Sequence, residues 1–185
     1  MSLTKTPICD FGKQAENFKL KSTDGKFLTL EDLKGKNGTL IMFICNHCPY
    51  VKAIISDVVK DCNVLSKLGV NSVAICSNDV VNYPEDSFEN MGIFSKKNKF
   101  NFSYLHDETQ EVAKKYGAVC TPDFFGYNDN LELQYRGRIR ELKELKPVRG
   151  GDSDLFNAMN QIANTGKGPL EQIPSMGCNI KWINN

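Results

Sequence analysis

The run Thr39-Leu-Ile-Met-Phe-Ile44, bounded by Gly38, contains no polar alternation. A strand with that pattern cannot leave a face in water, so it belongs at the centre of an α/β sheet covered on both sides. From Pro49 onward the apolar positions fall at Val51, Ile54, Ile55, Val58, Val59, Cys62, Leu65 and Leu68. That is the spacing of a helix with one buried face, and Gly69 ends it. Val70 to Cys76 reads as a second strand, and Tyr83-Pro84-Glu85-Asp86 opens another helical stretch toward Lys99. Strand, helix, strand, helix implies parallel pairing.

The flanking segments fit around this unit. Phe18 and Leu20, the turn Ser22-Thr23-Asp24-Gly25, and Phe27, Leu28 and Leu30 predict a hairpin-like N-terminal extension. Phe102 to Leu105 is a short strand, and Asp107 or Thr109 is the expected cap of a short helix that stops at Gly117. Phe124 to Tyr127 and Leu131 to Tyr135, separated by Asn128-Asp129-Asn130, predict an antiparallel hairpin. Asp152 or Ser153 caps a helix running from Leu155 to about Asn164. Residues 166–185 show no period and form an irregular tail, within one domain spanning 1–185.

Lys and Arg number 23 against 22 Asp and Glu, so the charge calls for neither nucleic acid nor an anionic membrane. The polar start, Met1 to Lys13, and the lack of any run of about 18 apolar residues predict a cytoplasmic protein. Seven cysteines, Cys9, Cys45, Cys48, Cys62, Cys76, Cys120 and Cys178, are an odd number in a chain large enough to need no stapling. Free thiols are therefore expected, and the close pair Cys45-Asn46-His47-Cys48 stands apart. It lies where the buried strand meets the helix opened by Pro49, so the helix dipole and unpaired amides favour a thiolate there. A pair in that setting is first a redox dithiol, with inert buried thiols as the plain alternative. His47 either lowers a neighbouring thiol's pKa as imidazolium or is a solvated loop residue. Cys45, His47 and Cys48 are also a candidate copper or zinc group, with His106 remote in sequence, and metal binding ranks below redox use.

Four separated segments, Phe43-Ile-Cys-Asn-His-Cys-Pro-Tyr-Val51, Cys120-Thr-Pro-Asp-Phe-Phe125, Tyr135-Arg-Gly-Arg138 and Gly177-Cys-Asn-Ile-Lys-Trp182, carry a resemblance over nearly the whole chain. In their order they resemble the thioredoxin-like superfamily, in its alkyl hydroperoxide reductase and thiol-specific antioxidant (redoxin) branch, and within it a peroxiredoxin-like subgroup. The resemblance implies a thioredoxin fold, a central mixed sheet flanked by helices. It implies Cys45 as the attacking cysteine, Cys48 as the resolving one and Pro122, after Thr121, as a cis-proline facing them. Protein or small-molecule thiols and disulfides are the implied partners, peroxides the alternative, and no cofactor is required. Cys120 and Cys178 are candidate third thiols, each with a packing role as the other reading. Cys62 and Cys76 are expected in the core, and Trp182 is expected to anchor the terminus by burial. Where peroxiredoxins place a proline and a threonine ahead of the peroxidatic cysteine, this chain has Gly38 and Met42. Arg136 is read as a surface residue. Residues 39–44 hold no carboxylate to serve as the buried acid of such sites.

Overall fold

A computed structural model describes residues 2–183. The chain begins with a short strand β1 (Leu3–Lys5), then the hairpin β2 (Lys19–Ser22) and β3 (Phe27–Thr29), which runs into a single turn α1 (Leu30–Leu33). Next come β4 (Gly38–Phe43), α2 (Pro49–Lys67) and β5 (Val70–Cys76), followed by a 3₁₀ turn at Pro84–Asp86 and α3 (Phe88–Lys97). The second half supplies β6 (Ser103–His106), α4 (Glu111–Tyr116), β7 (Cys120–Thr121), β8 (Asp123–Tyr127) and β9 (Leu133–Tyr135). A small hairpin of β10 (Leu142–Lys143) and β11 (Lys146–Pro147) precedes α5 (Asp154–Thr165) and β12 (Met176–Asn179).

The main sheet has the order β3-β2-β6-β5-β4-β8-β9. Its centre, β6-β5-β4, is parallel, and β2, β8 and β9 join antiparallel. Every residue of β4 is buried, as the uninterrupted apolar run requires. Because side chains alternate along a strand, Leu40, Met42 and Ile44 meet the inner faces of α2 and α5, whereas Ile41 and Phe43 meet Leu30 and Leu33 of α1 and Tyr116 of α4. The result is a mixed sheet flanked by helices, with the β2–β3 hairpin as its N-terminal extension. Among the described residues no helix is long and apolar enough to cross a membrane.

Local chemistry moves several expected features. The stretch opened by Tyr83 splits into the 3₁₀ turn and α3, which Ser87 caps by accepting the Asn90 amide at 3.3 Å. Neither Asp107 nor Thr109 is the cap residue of α4; Gln110 is, with φ 64°. Asp107 still accepts the amides of Val112 and Ala113 at 3.3 and 2.9 Å. The tail, expected to be irregular, contains β12, which pairs antiparallel with both β1 and β7. Gly177 permits this: a Cβ there would fall 2.0 Å from Thr121 O. Trp182 is more than a third exposed and does not anchor the terminus by burial. Main-chain bonds do so instead, from Lys181 N–H to Asn78 Oδ1 at 2.9 Å and from Ile183 N–H to Gln110 Oε1 at 2.8 Å. Arg136, read as a surface residue, is buried because Asp123 needs a counter-charge: Nη2 donates to Asp123 Oδ2 at 2.9 Å and to Gly117 O at 2.8 Å.

Candidate active site

Ile44 and the Cys45-Asn46-His47-Cys48 turn join β4 to α2, whose first residue is Pro49. Proline suits that position, since its fixed φ is already helical and its missing N–H would have had no partner. Cys48 is the capping residue of α2, so it, more than Cys45, meets the positive end of the helix dipole. Both thiols are buried, and every cysteine is unbridged.

The opposite wall is β7 and the loop after it, where the Thr121–Pro122 peptide is cis. Thr121 Oγ1 lies 3.3 Å from Cys45 Sγ, and Cys48 Sγ lies 3.1 Å from Thr121 O, placed to donate to it when protonated. The structure therefore brings Cys45, Cys48, Thr121 and Pro122 together. The two thiols also share a hydrogen bond that splits their acidity. Cys48 is brought down to about 5 by that bond, against burial and with help from the amides of Cys178 and Val51. Cys45 moves well above the thiol range through the same bond, through burial and through the nearby Asp86 carboxylate. The shared bond thus favours the thiolate on Cys48 and the proton on Cys45.

His47 turns its Nδ1 toward Asp86 Oδ2 at 2.6 Å. Asp86 Oδ1 accepts the amides of Asn46 and His47 at 2.7 and 3.3 Å, and Oδ2 also accepts Asn78 Nδ2 at 2.8 Å. Burial pushes the Asp86 carboxyl up, but the bonds from His47 and Asn78 outweigh it and hold the group below the usual carboxylate range. The bond to Asp86 in turn raises His47 above the ordinary imidazole value, against partial desolvation. Tyr83 stacks on the His47 ring, centroids 5.6 Å apart and planes within 9°. Tyr104 Oη donates to Asn46 Oδ1 at 2.9 Å and fixes the residue before His47 in the turn.

A buried acid thus reaches the turn from the 3₁₀ segment, 39 residues beyond His47, and it bonds the imidazole and the main chain, not either thiol. Sequence reading missed Asp86, Asn78 and Tyr104. An acid just after Tyr-Pro at a helix start has an ordinary explanation in the helix dipole, and nothing local signals the turn it caps. Of the candidate third thiols, Cys178 lies against Cys48, whereas Cys120 directs its Sγ at Pro122 O, 3.6 Å away. Cys62 and Cys76 are core residues, and burial raises each thiol to about 12.

Cys45, His47 and Asp86 offer ligand atoms within 4.8 Å of one another. Both Asp86 oxygens already accept protein donors, so a cation would have to displace them. Beside Pro122 a cavity of about 400 Å³ is lined by Tyr50, Ile54, Ile139, Leu142 and Met176 among others.

Residues 11–142 match the AhpC/TSA family. The chain belongs to that family. An uncharacterized conserved protein from Geobacillus kaustophilus is similar to this AhpC/TSA protein at 41% identity, over 100% of this chain and 98% of its own, with a TM-score of 0.94. A hypothetical protein from Sinorhizobium meliloti 1021 is 35% identical over 100% of both chains, TM-score 0.90. The thioredoxin domain of a thiol-disulfide oxidoreductase from Bacteroides vulgatus aligns with 83% of this chain and 98% of its own at 18% identity, TM-score 0.64. At that identity the likeness is one of fold, and the fold is that of thioredoxin. No curated protein matches the chain. Family and fold together make this a redoxin of the AhpC/TSA type.

Proposed function

We propose that this AhpC/TSA protein is a thiol–disulfide oxidoreductase whose working groups are Cys45 and Cys48. The observation that carries the reading is the sulfur pair, two thiols sharing one hydrogen bond against a cis-proline loop. Cys45 gives its proton to Cys48 and attacks a substrate disulfide. The substrate S–S bond breaks, its electron pair leaves on one substrate sulfur, and that sulfur takes up a proton. Cys48, losing its proton again, attacks Cys45 Sγ, releases the second substrate thiol and leaves a Cys45–Cys48 disulfide. Substrate is reduced and protein oxidised; run backwards, the same steps oxidise a dithiol. In the second step the bond from the Cys45 thiol is gone, and the amides of Cys178 and Val51 remain to favour the Cys48 thiolate.

His47, held by Asp86, keeps a positive charge beside the turn that offsets the carboxylate disfavouring the Cys45 thiolate. The cavity beside Pro122 offers an apolar wall for groups flanking a reacting disulfide in a protein or a small molecule. No cofactor takes part, and the cytoplasm is the proposed compartment. Trapping tests the roles: Cys48→Ser accumulates mixed disulfides on Cys45, and Cys45→Ser accumulates none. Equal yields from the two variants sink the assignment.

Family membership favours a second reading, a thiol peroxidase with Cys45 as peroxidatic cysteine. Gly38 and Met42 offer no peroxide-binding groups, and the Arg136 guanidinium is committed to Asp123 and Gly117 O and packs 4.4 Å from the Phe125 ring centre. Peroxide consumption much faster than by free cysteine, lost in Cys45→Ser, would establish that reading instead. Stoichiometric zinc or copper on the purified reduced chain would point to metal handling or redox sensing without turnover.

A further inference from the structure

Cys178 takes no part in the two-thiol cycle, yet the fold delivers it to the same place. Antiparallel pairing sets Cys178 opposite Thr121, and residues directly opposite in such a pair present their side chains to the same face. Thr121 uses that face to touch Cys45, with Oγ1 3.3 Å from its sulfur. Cys178 uses it to reach Cys48, which it contacts through both its amide and its thiol. All three cysteines belong to one buried cluster. Cys120 is paired with Asn179, one residue along, so it faces the other way. The close approach depends on Gly177, where any Cβ would strike Thr121 O and Pro122 Cδ.

We infer that Cys45, Cys48 and Cys178 form a three-thiol relay in which Cys48 is the middle sulfur and can hold a disulfide with either neighbour. The inference rests on the dithiol reading and extends it. After the Cys45–Cys48 disulfide forms, Cys178 Sγ attacks Cys48 Sγ. The Cys45–Cys48 bond breaks with its electron pair on Cys45, the Cys48–Cys178 bond forms, and the proton leaving Cys178 ends on Cys45. Oxidation level is unchanged, so no external oxidant or reductant enters. The exchange moves the disulfide from the turn to β12 and returns Cys45 to its thiol form, free to form a mixed disulfide with a second substrate while the first pair of electrons is still owed.

Burial lifts the Cys178 thiol to about 12, so the attacking thiolate is scarce and the exchange should be slower than formation of the first disulfide. The test is disulfide mapping of the full-length reduced chain after oxidised glutathione is added, with acid quenching, alkylation and peptide mass spectrometry. Cys45→Ser, and Cys45→Ala as a second variant in case serine perturbs folding, are expected to close a Cys48–Cys178 disulfide in most molecules. Adding Cys178→Ser abolishes it. If both Cys45 variants fold and leave Cys48 and Cys178 alkylatable under conditions that fully oxidise the wild-type pair, the relay is overturned. Cys178→Ser separates the two claims: a Cys45–Cys48 disulfide that still closes there leaves the dithiol function standing whatever becomes of the relay, and its failure to form in that folded variant removes the dithiol function itself.

Discussion

Asp86→Asn removes the charge that His47 faces while keeping the side chain's shape. In the native protein the carboxylate is fully buried and accepts four hydrogen bonds, from the amides of Asn46 and His47, from Asn78 Nδ2 and from His47 Nδ1. Asparagine can still accept the two amides through its oxygen, but its NH₂ then confronts two donors. A buried charge-assisted hydrogen bond contributes about 1.5–3 kcal/mol, so the variant should lose roughly 2 kcal/mol, or about 4–8 °C in Tm for a chain of this size. The pH dependence carries a sign. His47 has a raised folded pKa, so its contribution is complete below its unfolded value of about 6.5 and disappears as pH rises through the folded one. Asp86 has a lowered folded pKa, so its contribution is complete above its unfolded value of about 3.9 and disappears as pH falls through the folded one. The stability gap between wild type and Asp86→Asn is therefore widest between about pH 4 and 6.5 and narrower at pH 8.5. Urea unfolding at pH 5.5 and 8.5 measures the gap, and NMR titration of the His47 ring measures its midpoint, which should drop in the variant. An unchanged midpoint, or a gap that widens with pH, refutes the coupling.

Other perturbations probe the surrounding frame. Arg136→Met leaves the Asp123 carboxylate buried without its counter-charge, a loss of about 3–5 kcal/mol at neutral pH; the loss should shrink as pH falls and the carboxyl, already raised by burial, takes up a proton. Gly177→Ala must push β12 away from the Thr121–Pro122 loop, costing about 1–3 kcal/mol and reducing any Cys48–Cys178 crosslink. Thiolate absorbance near 240 nm in the reduced chain should persist down to about pH 5 and fade below it; in Cys48→Ser it should appear only well into the alkaline range.

The centre of the fold was legible because β4 and α2 announce themselves locally, one by an unbroken apolar run and the other by its helical period. Gly69 ended the helix where the chain turns left-handed, at φ 78°. The tail was opaque for the opposite reason. Met176–Asn179 has no alternation of its own and becomes a strand only because β1 and β7 lie on either side and Gly177 fits between them. The site divides in the same way. Cys45 and Cys48 show by their spacing and by the strand-to-helix junction. Asp86, Asn78 and Tyr104 reach the turn from separate elements, and such contacts leave no mark in a single sequence. Arg136 was misjudged because exposure was assigned to a charge before its partner was known; Asp123, immediately after Pro122, is that partner.

The stacking of Tyr83 on His47 has a kinetic meaning. Asp86, Cys45 and Cys48 have at most 1% of their surface open to water, while the His47 side chain keeps 14%. Its Nδ1 edge is tied to Asp86 and one ring face is covered by Tyr83. What remains open to water is a small part of the ring. Each turnover of the proposed sulfur pair must export or import protons, and His47 is the most exposed titratable group beside it. Solvent isotope effects and buffer catalysis should therefore respond to Tyr83 and His47, residues that never touch the disulfide being exchanged.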